Sequence, residues 1–216
     1  MKHLTHISAM RWLCALVMAW GSVAMAPAQD VMRRTLMTIP DSIVPFLNHS
    51  MIGELVEFAG RGGTAEVKNK LDGMSSLDTL TQSYAAFTLT KVDKMQLMLL
   101  PRTAGDSIIC LLHTYYGPEP ESTVRFYSMG WQRLSDDEFL TPVTFDELVH
   151  RPDTMDADKF MALRKLFDPC LISVVADPRE LTLTFSLSKP LLSEADKKAL
   201  DPIVLQKTVK WSGKTF

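Results

Sequence analysis

The chain has 216 residues, 23 Lys+Arg against 25 Asp+Glu, a formal net charge of −2 and 46% hydrophobic residues. A chain of this length buries about 70% of its unfolded surface, so it supports a true core as one large domain or two small ones. Near-balanced charge supplies no long-range positive field, which excludes binding to nucleic acid or anionic lipid driven by phosphate neutralisation.

Met1–Arg11 carries Lys2 and Arg11 and no acid, Trp12–Met25 is uncharged and largely apolar, and Ala26-Pro27-Ala28 follows with small residues. This is the three-part pattern of a secretory signal peptide over residues 1–28. Cleavage is expected between Ala28 and Gln29, because a cut after Ala26 would put Pro27 directly behind the scissile bond. An apolar run of about 14 residues falls short of the roughly 20 that cross a bilayer, and no later segment reaches that length without charge. Cys14 lies near the start of the run, behind Arg11-Trp12-Leu13, which disfavours a lipid anchor. The mature chain is expected to be exported without stable membrane insertion, with 21 Lys+Arg against 25 Asp+Glu and a charge of −4.

Residues 29–216 read as a single α+β domain, with possible sub-units at about 40–150 and 151–216. Pro40-Asp41-Ser42 marks a helix start and Pro45 fits a first turn; Ile52, Leu55, Val56 and Ala59 recur at helical spacing, and Gly60-Arg61-Gly62-Gly63 supplies the stop. One amphipathic helical region, broken near Asn48, is predicted over 42–59. The period then changes to two. Phe87 and Leu89, then Met95, Leu97 and Leu99, alternate with more polar neighbours, and 107–112 is a continuous apolar run, the mark of a strand buried on both faces. Tyr116-Gly117-Pro118-Glu119-Pro120 must turn, and Val124, Phe126 and Tyr127 begin a returning strand, so 86–134 reads as an antiparallel meander. A second unit follows. Asp156 or Asp158 caps a helix carrying Phe160, Leu163 and Phe167, ended by Asp168-Pro169; strands are predicted at 171–175, 181–187 and 204–211, with a short helix opened by Ser193 before the last. The expected architecture is a mostly antiparallel sheet with helices packed on one face, the alternative being two similar helix-then-meander halves.

Local catalytic signatures are missing from the mature region: no Gly-x-Ser-x-Gly elbow, His-Glu-x-x-His, Cys-x-x-Cys, Gly-rich phosphate loop or EF-hand spacing occurs. His49, His113 and His150 are too far apart in sequence for a local metal site, and His113 reads as a half-buried strand residue. Asp153, Asp156 and Asp158 lack the spacing and turn glycine of a calcium loop and read as an acidic helix start. Asp136-Asp137-Glu138 reads as a solvated turn, since adjacent carboxylates point apart. No catalytic, cofactor-binding or metal-ligating residue is assigned.

Cys110 and Cys170 are the two cysteines left after cleavage. An oxidising compartment permits a disulfide between them, worth roughly 4 kcal/mol for a loop of about 60 residues. Both lie in apolar strand-like runs, where a cysteine serves equally as a small buried hydrophobe. Trp131, Trp211, Tyr115 and Tyr116 fit either a sugar-stacking platform or core packing, and the methionines at core-patterned positions read as gap fillers.

The segments Ile39–Leu47, Glu54–Phe58, Asp106–Cys110 and Glu121–Tyr127 together resemble an uncharacterised exported family of Bacteroidales, a domain-of-unknown-function family, over most of the mature chain. The resemblance implies a Gram-negative envelope location, periplasmic or surface, and supplies no catalytic residue. That lineage also implies an O-glycosylation signal, Asp followed by Ser or Thr and a small aliphatic, Met or Thr. Asp41-Ser42-Ile43, Asp78-Thr79-Leu80, Asp106-Ser107-Ile108 and Asp153-Thr154-Met155 fit it; Thr79 and Thr154 are the expected loop candidates, Ser42 doubling as a cap and Ser107 opening a buried strand. Two functions follow: a non-enzymatic envelope module for a protein, glycan or small ligand, or a hydrolase whose site, with His113 or His150, assembles only in the fold.

Overall fold

The computed structural model describes residues 30–62, 64–117, 119–189 and 192–216. The expected signal segment, with its cleavage point at Ala28 and Gln29, lies outside the described residues. The fold is α+β, with two antiparallel sheets of six and three strands.

Helix α1 (Asp30–Met37) precedes the first predicted helix; it is short, and Met32 and Leu36, four apart, are its fully buried side chains. Residues 40–47 form two successive turns, closed by Ile43 N–H to Pro40 O (2.9 Å) and Leu47 N–H to Val44 O (3.0 Å). Pro45 explains the shortened helix: it withholds a donor and turns Val44 away from helical backbone. Asn48 then caps α2 (His49–Gly60), its side chain accepting from Met51 N–H at 2.9 Å, so the predicted break is the true helix start. Gly62, at φ +72, completes the stop.

Strands β1 (Glu66–Lys68), β2 (Met74–Leu80), β3 (Tyr84–Thr90), β4 (Asp93–Pro101), β5 (Ser107–Tyr116) and β6 (Pro120–Ser128) pair in chain order. The meander therefore begins about twenty residues before its predicted start. After α3 (Ala157–Arg164), capped by Asp156, come β7 (Ile172–Asp177), β8 (Thr182–Leu187), α4 (Glu194–Leu200) and β9 (Gln206–Lys210); the second sheet runs β7-β8-β9.

The period of two places successive side chains on opposite faces. In β4 and β5, Met95, Leu97, Leu99, Ile109 and Leu111 join α1 and α2 in one core, while Met98, Leu100, Ile108, Cys110 and Leu112 join a second core with β7–β9, α3 and α4. Helices α1 and α2 pack on one face of the large sheet, and the second sheet packs on part of the other, since the apolar runs of β4 and β5 need a cover on each side. No helix among the described residues is long and apolar enough to cross a membrane.

Candidate binding surface

The second sheet covers only part of its face of the large sheet. Over β1–β3 and the first half of β4 that face is open, and register sets its side chains in rows. Ser76 lies opposite Thr88, and Thr88 opposite Lys94; in the next row Thr79 lies opposite Ala86, and Ala86 opposite Gln96. With strands about 4.8 Å apart, β1 to β4 make a strip roughly 14 Å wide. The register shifts between Leu77 and Thr79, so the intervening Asp78 joins this face. Its Oδ1 accepts from the Ser76 hydroxyl at 2.5 Å and its Oδ2 from the Thr88 hydroxyl at 2.7 Å. The Tyr84 hydroxyl donates to Gln96 Oε1 at 3.1 Å. Burial, then the Asp78 charge, pushes the Tyr84 phenol up, which keeps it a donor. Ala86 stands between Tyr84 and Thr88 along β3 and between Thr79 and Gln96 across it. At the strip's margin the Lys94 ammonium stands 5.4 Å from the Tyr116 ring centroid.

On the opposite face, at the end of the first core, Asp93 begins β4 opposite Tyr115, and His113 lies opposite Met95. His113 Nε2 is 2.6 Å from Asp93 Oδ1, the two side chains being 13% and 7% exposed. The approach is close but lies off the line of a directed hydrogen bond, and neither atom has another partner. Tyr115 stacks on the imidazole with centroids 4.7 Å apart, its hydroxyl 3.2 Å from Nδ1. If that hydroxyl donates, the ring proton belongs on Nε2, facing the carboxylate. Carboxylate, imidazole and hydroxyl thus stand in series, without a directed hydrogen bond between the first two. Burial and the Asp93 charge raise the Tyr115 phenol, so it stays protonated. Two described cavities, of about 330 and 100 Å³, lie elsewhere: one beside the β4–β5 hairpin and C-terminus, the other between Arg33, Gly60 and Thr81.

Residues 24–216 match the family described as "Protein of unknown function (DUF3256)". The chain belongs to that family. A domain of an uncharacterized protein from Porphyromonas gingivalis W83 superimposes with a TM-score of 0.73 at 18% identity, covering 86% of this chain and 96% of that one. At that identity the likeness shows a shared fold, and its source agrees with the Bacteroidales resemblance. No curated protein matches the DUF3256 chain.

Among the described residues of the DUF3256 chain the cysteines are free thiols: Cys110 is buried in β5, and Cys170 is exposed just before β7 rather than inside a strand. Burial, then the Asp136 charge, pushes the Cys110 thiol far up, leaving it an inert core residue. Of the glycosylation candidates, Ser42 is exposed in a turn and caps no helix, Thr154 is exposed in a turn, Thr79 is exposed in β2 on the open strip rather than in a loop, and Ser107 is half-buried at the start of β5. The histidines do not converge on a ligand set: His49 pairs with Asp41 at 3.4 Å, His113 with Asp93, and exposed His150 adjoins Ile203 through its backbone. Among the described residues no group of three His, Cys, Asp or Glu stands where it could hold a metal. Trp131 and Trp211 are core residues, whereas Tyr115 and Tyr116 are exposed.

Three residues carry more than their sequence suggests. Asp136, in a single 3-10 turn, gathers Arg125 at 2.6 Å and Arg133 onto one carboxylate oxygen instead of facing water. Asp78 organises the open strip and Asp93 pairs with His113. For Asp93 the available cue was an acid inside a strand pattern, where ionised side chains are rare; Asp78 lay outside every predicted strand.

Proposed function

We propose that this DUF3256 chain is an exported binding module of the Gram-negative envelope that takes a polyhydroxylated ligand, a glycan, across the open strip of its large sheet. The signal-peptide pattern supports export. The observation that carries the ligand class is the Asp78 network. One carboxylate accepts from two hydroxyls and retains lone pairs, and Gln96 commits its carbonyl to Tyr84 while neither amide hydrogen finds a partner among the described residues. Donors and acceptors are therefore oriented before a ligand arrives, which lowers the entropy cost of binding. Tyr84 and Tyr116 add apolar ring area on which a sugar ring can lie. Binding is favoured over hydrolysis because the Asp93–His113–Tyr115 series lies in neither described cavity and ends in a protonated phenol.

The test is affinity electrophoresis of the mature chain, residues 29–216, in gels containing soluble xylan, mannan or dextran. Retardation by at least one, abolished by Asp78→Ala and retained by Asp146→Ala, in the 3-10 turn beside the second sheet, supports the reading. Unchanged mobility in all gels, or full retardation of Asp78→Ala, overturns it. O-glycosylation is proposed at Thr79 and Thr154, with Ser42, also exposed, and half-buried Ser107 as further candidates. A sugar on Thr79 would occupy the strip, so modification there and ligand binding exclude each other. The intact mass of the exported protein, native and Thr79→Ala, measures this; an unmodified mass ends the proposal.

A further inference from the structure

Independently of the open strip, the cavity of about 330 Å³ at the far end of the large sheet has the features of a built site. Its walls come from three segments: the β4–β5 turn (Arg102, Thr103, Ala104), the turn at Glu138-Phe139, and the C-terminal strap from Gly213 to Thr215. All three are pinned to one another by backbone bonds. Arg102 N–H bonds Asp106 O at 2.8 Å within the hairpin, Thr103 N–H bonds Gly213 O at 3.1 Å, and Phe216 N–H bonds Phe139 O at 2.8 Å. Trp211 Nε1–H adds a bond to Pro101 O at 2.6 Å, and Ser212 closes the strap on itself by accepting from Thr215 N–H at 3.1 Å. Gly213 has φ +93, and a Cβ there would stand 2.9 Å from Thr103 Cγ2, so glycine is required for the strap to lie this close to the hairpin. The cavity is thereby formed in advance, within the size range of small-molecule sites.

Its charges are arranged as a complementary set. Arg102 directs Nε and one terminal nitrogen to Asp106, leaving its remaining guanidinium hydrogens unspent. Lys214 and Glu138 line the cavity; among the described residues neither makes an ion pair or side-chain hydrogen bond, and the Glu138 charge acts on Arg102 across the cavity without contact. Phe139, 3% exposed, supplies an apolar floor. One unspent carboxylate and two cationic side chains around a small apolar floor match a molecule that carries both an ammonium and a carboxylate.

We infer that this cavity binds a short zwitterionic peptide, with the ligand's terminal ammonium on Glu138 and its terminal carboxylate on Lys214 and Arg102. Calorimetric titration of the mature chain with triglycine, N-acetyl-triglycine and triglycine amide tests it. Saturable heat is expected with triglycine. Each blocked peptide is expected to bind about tenfold more weakly, the loss of one charge-assisted hydrogen bond. Glu138→Gln should erase the penalty for N-acetylation alone, and Lys214→Gln should reduce the penalty for amidation alone; both side chains are exposed, and near-UV circular dichroism checks that the fold is kept. No saturable heat at millimolar triglycine, or equal binding of all three peptides to the unmodified chain, overturns the inference. The open strip is tested with polysaccharide and Asp78→Ala, so the two readings fail separately.

Discussion

Trp131 ties α1 to the large sheet, and its replacement tests whether that unforeseen helix belongs to the fold. The residue closes the turn after β6, its N–H bonding Ser128 O at 2.9 Å, and its side chain is buried. Nε1–H reaches both Thr35 O and Thr38 Oγ1 at 3.2 Å, crossing from the turn to α1 and the residue after it. Trp131→Phe removes a hydrogen bond worth about 1 kcal/mol and part of a ring, for a total near 2 kcal/mol. Trp131→Ala should cost about 3–5 kcal/mol. The backbone supplies the sharper test, because Trp131 has φ +62. At ordinary backbone Gly is less stable than Ala by about 0.5–1 kcal/mol, whereas left-handed backbone costs a non-Gly residue about 1–2 kcal/mol. Trp131→Gly should therefore be at least as stable as Trp131→Ala in urea unfolding followed by far-ultraviolet circular dichroism. Ala more stable than Gly by 0.5 kcal/mol or more, or a Trp131→Phe variant as stable as the native chain, would refute the reasoning.

Three further outcomes follow. A thiol reagent should modify exposed Cys170 in the folded chain and Cys110 only on unfolding; two reactive thiols in the native state, or none, would contradict the burial pattern. Burial works to raise the Asp136 carboxyl, but the hydrogen bonds and charges of Arg133 and Arg125 prevail and hold it below its ordinary value of 3.8. The stability it contributes is present above that value and is lost as pH falls through the lowered one, so Asp136→Asn should be destabilised at neutral pH and converge with the native chain in acid; a constant gap across the acid range in urea titrations would be the wrong result. Buried Asn69 donates to Ser75 Oγ and Leu89 O and accepts from Leu71 and Gly73 N–H. Asn69→Ala should therefore cost about 2–4 kcal/mol, against less than 1 kcal/mol for the neighbouring exposed Lys70→Ala, in the same assay.

The central strands were legible because burial on two faces writes itself as a continuous apolar run. In β5, Ile109 and Leu111 enter one core while Cys110 and Leu112 enter the other, as the run at 107–112 implied. Strand β2 was hidden for the converse reason. Ser76, Asp78 and Thr79 face water, and Ser75 is buried as a hydrogen-bonding partner of Asn69 and Leu89 O rather than as a hydrophobe, so no period of two survives. That loss of apolar pattern is also what makes the open strip polar. Helix α1 offered two fully buried apolar positions on a short segment beside the expected cleavage point, too little for periodicity to register. The Asp93–His113 pair, twenty residues apart in sequence, depends on the β4–β5 register, which turn chemistry and sheet packing decide together.

Mapping backbone amide shifts of the isotopically labelled mature chain during titration with the polysaccharide that retards it addresses the binding-module account most directly. Ligand on the open strip should shift Ser76–Leu80, Tyr84–Thr88 and Lys94–Gln96, saturating together and leaving Asp78→Ala unshifted. Shifts confined to the Asp93–His113 pair, to the second sheet or to the C-terminal cavity would contradict the binding-module account.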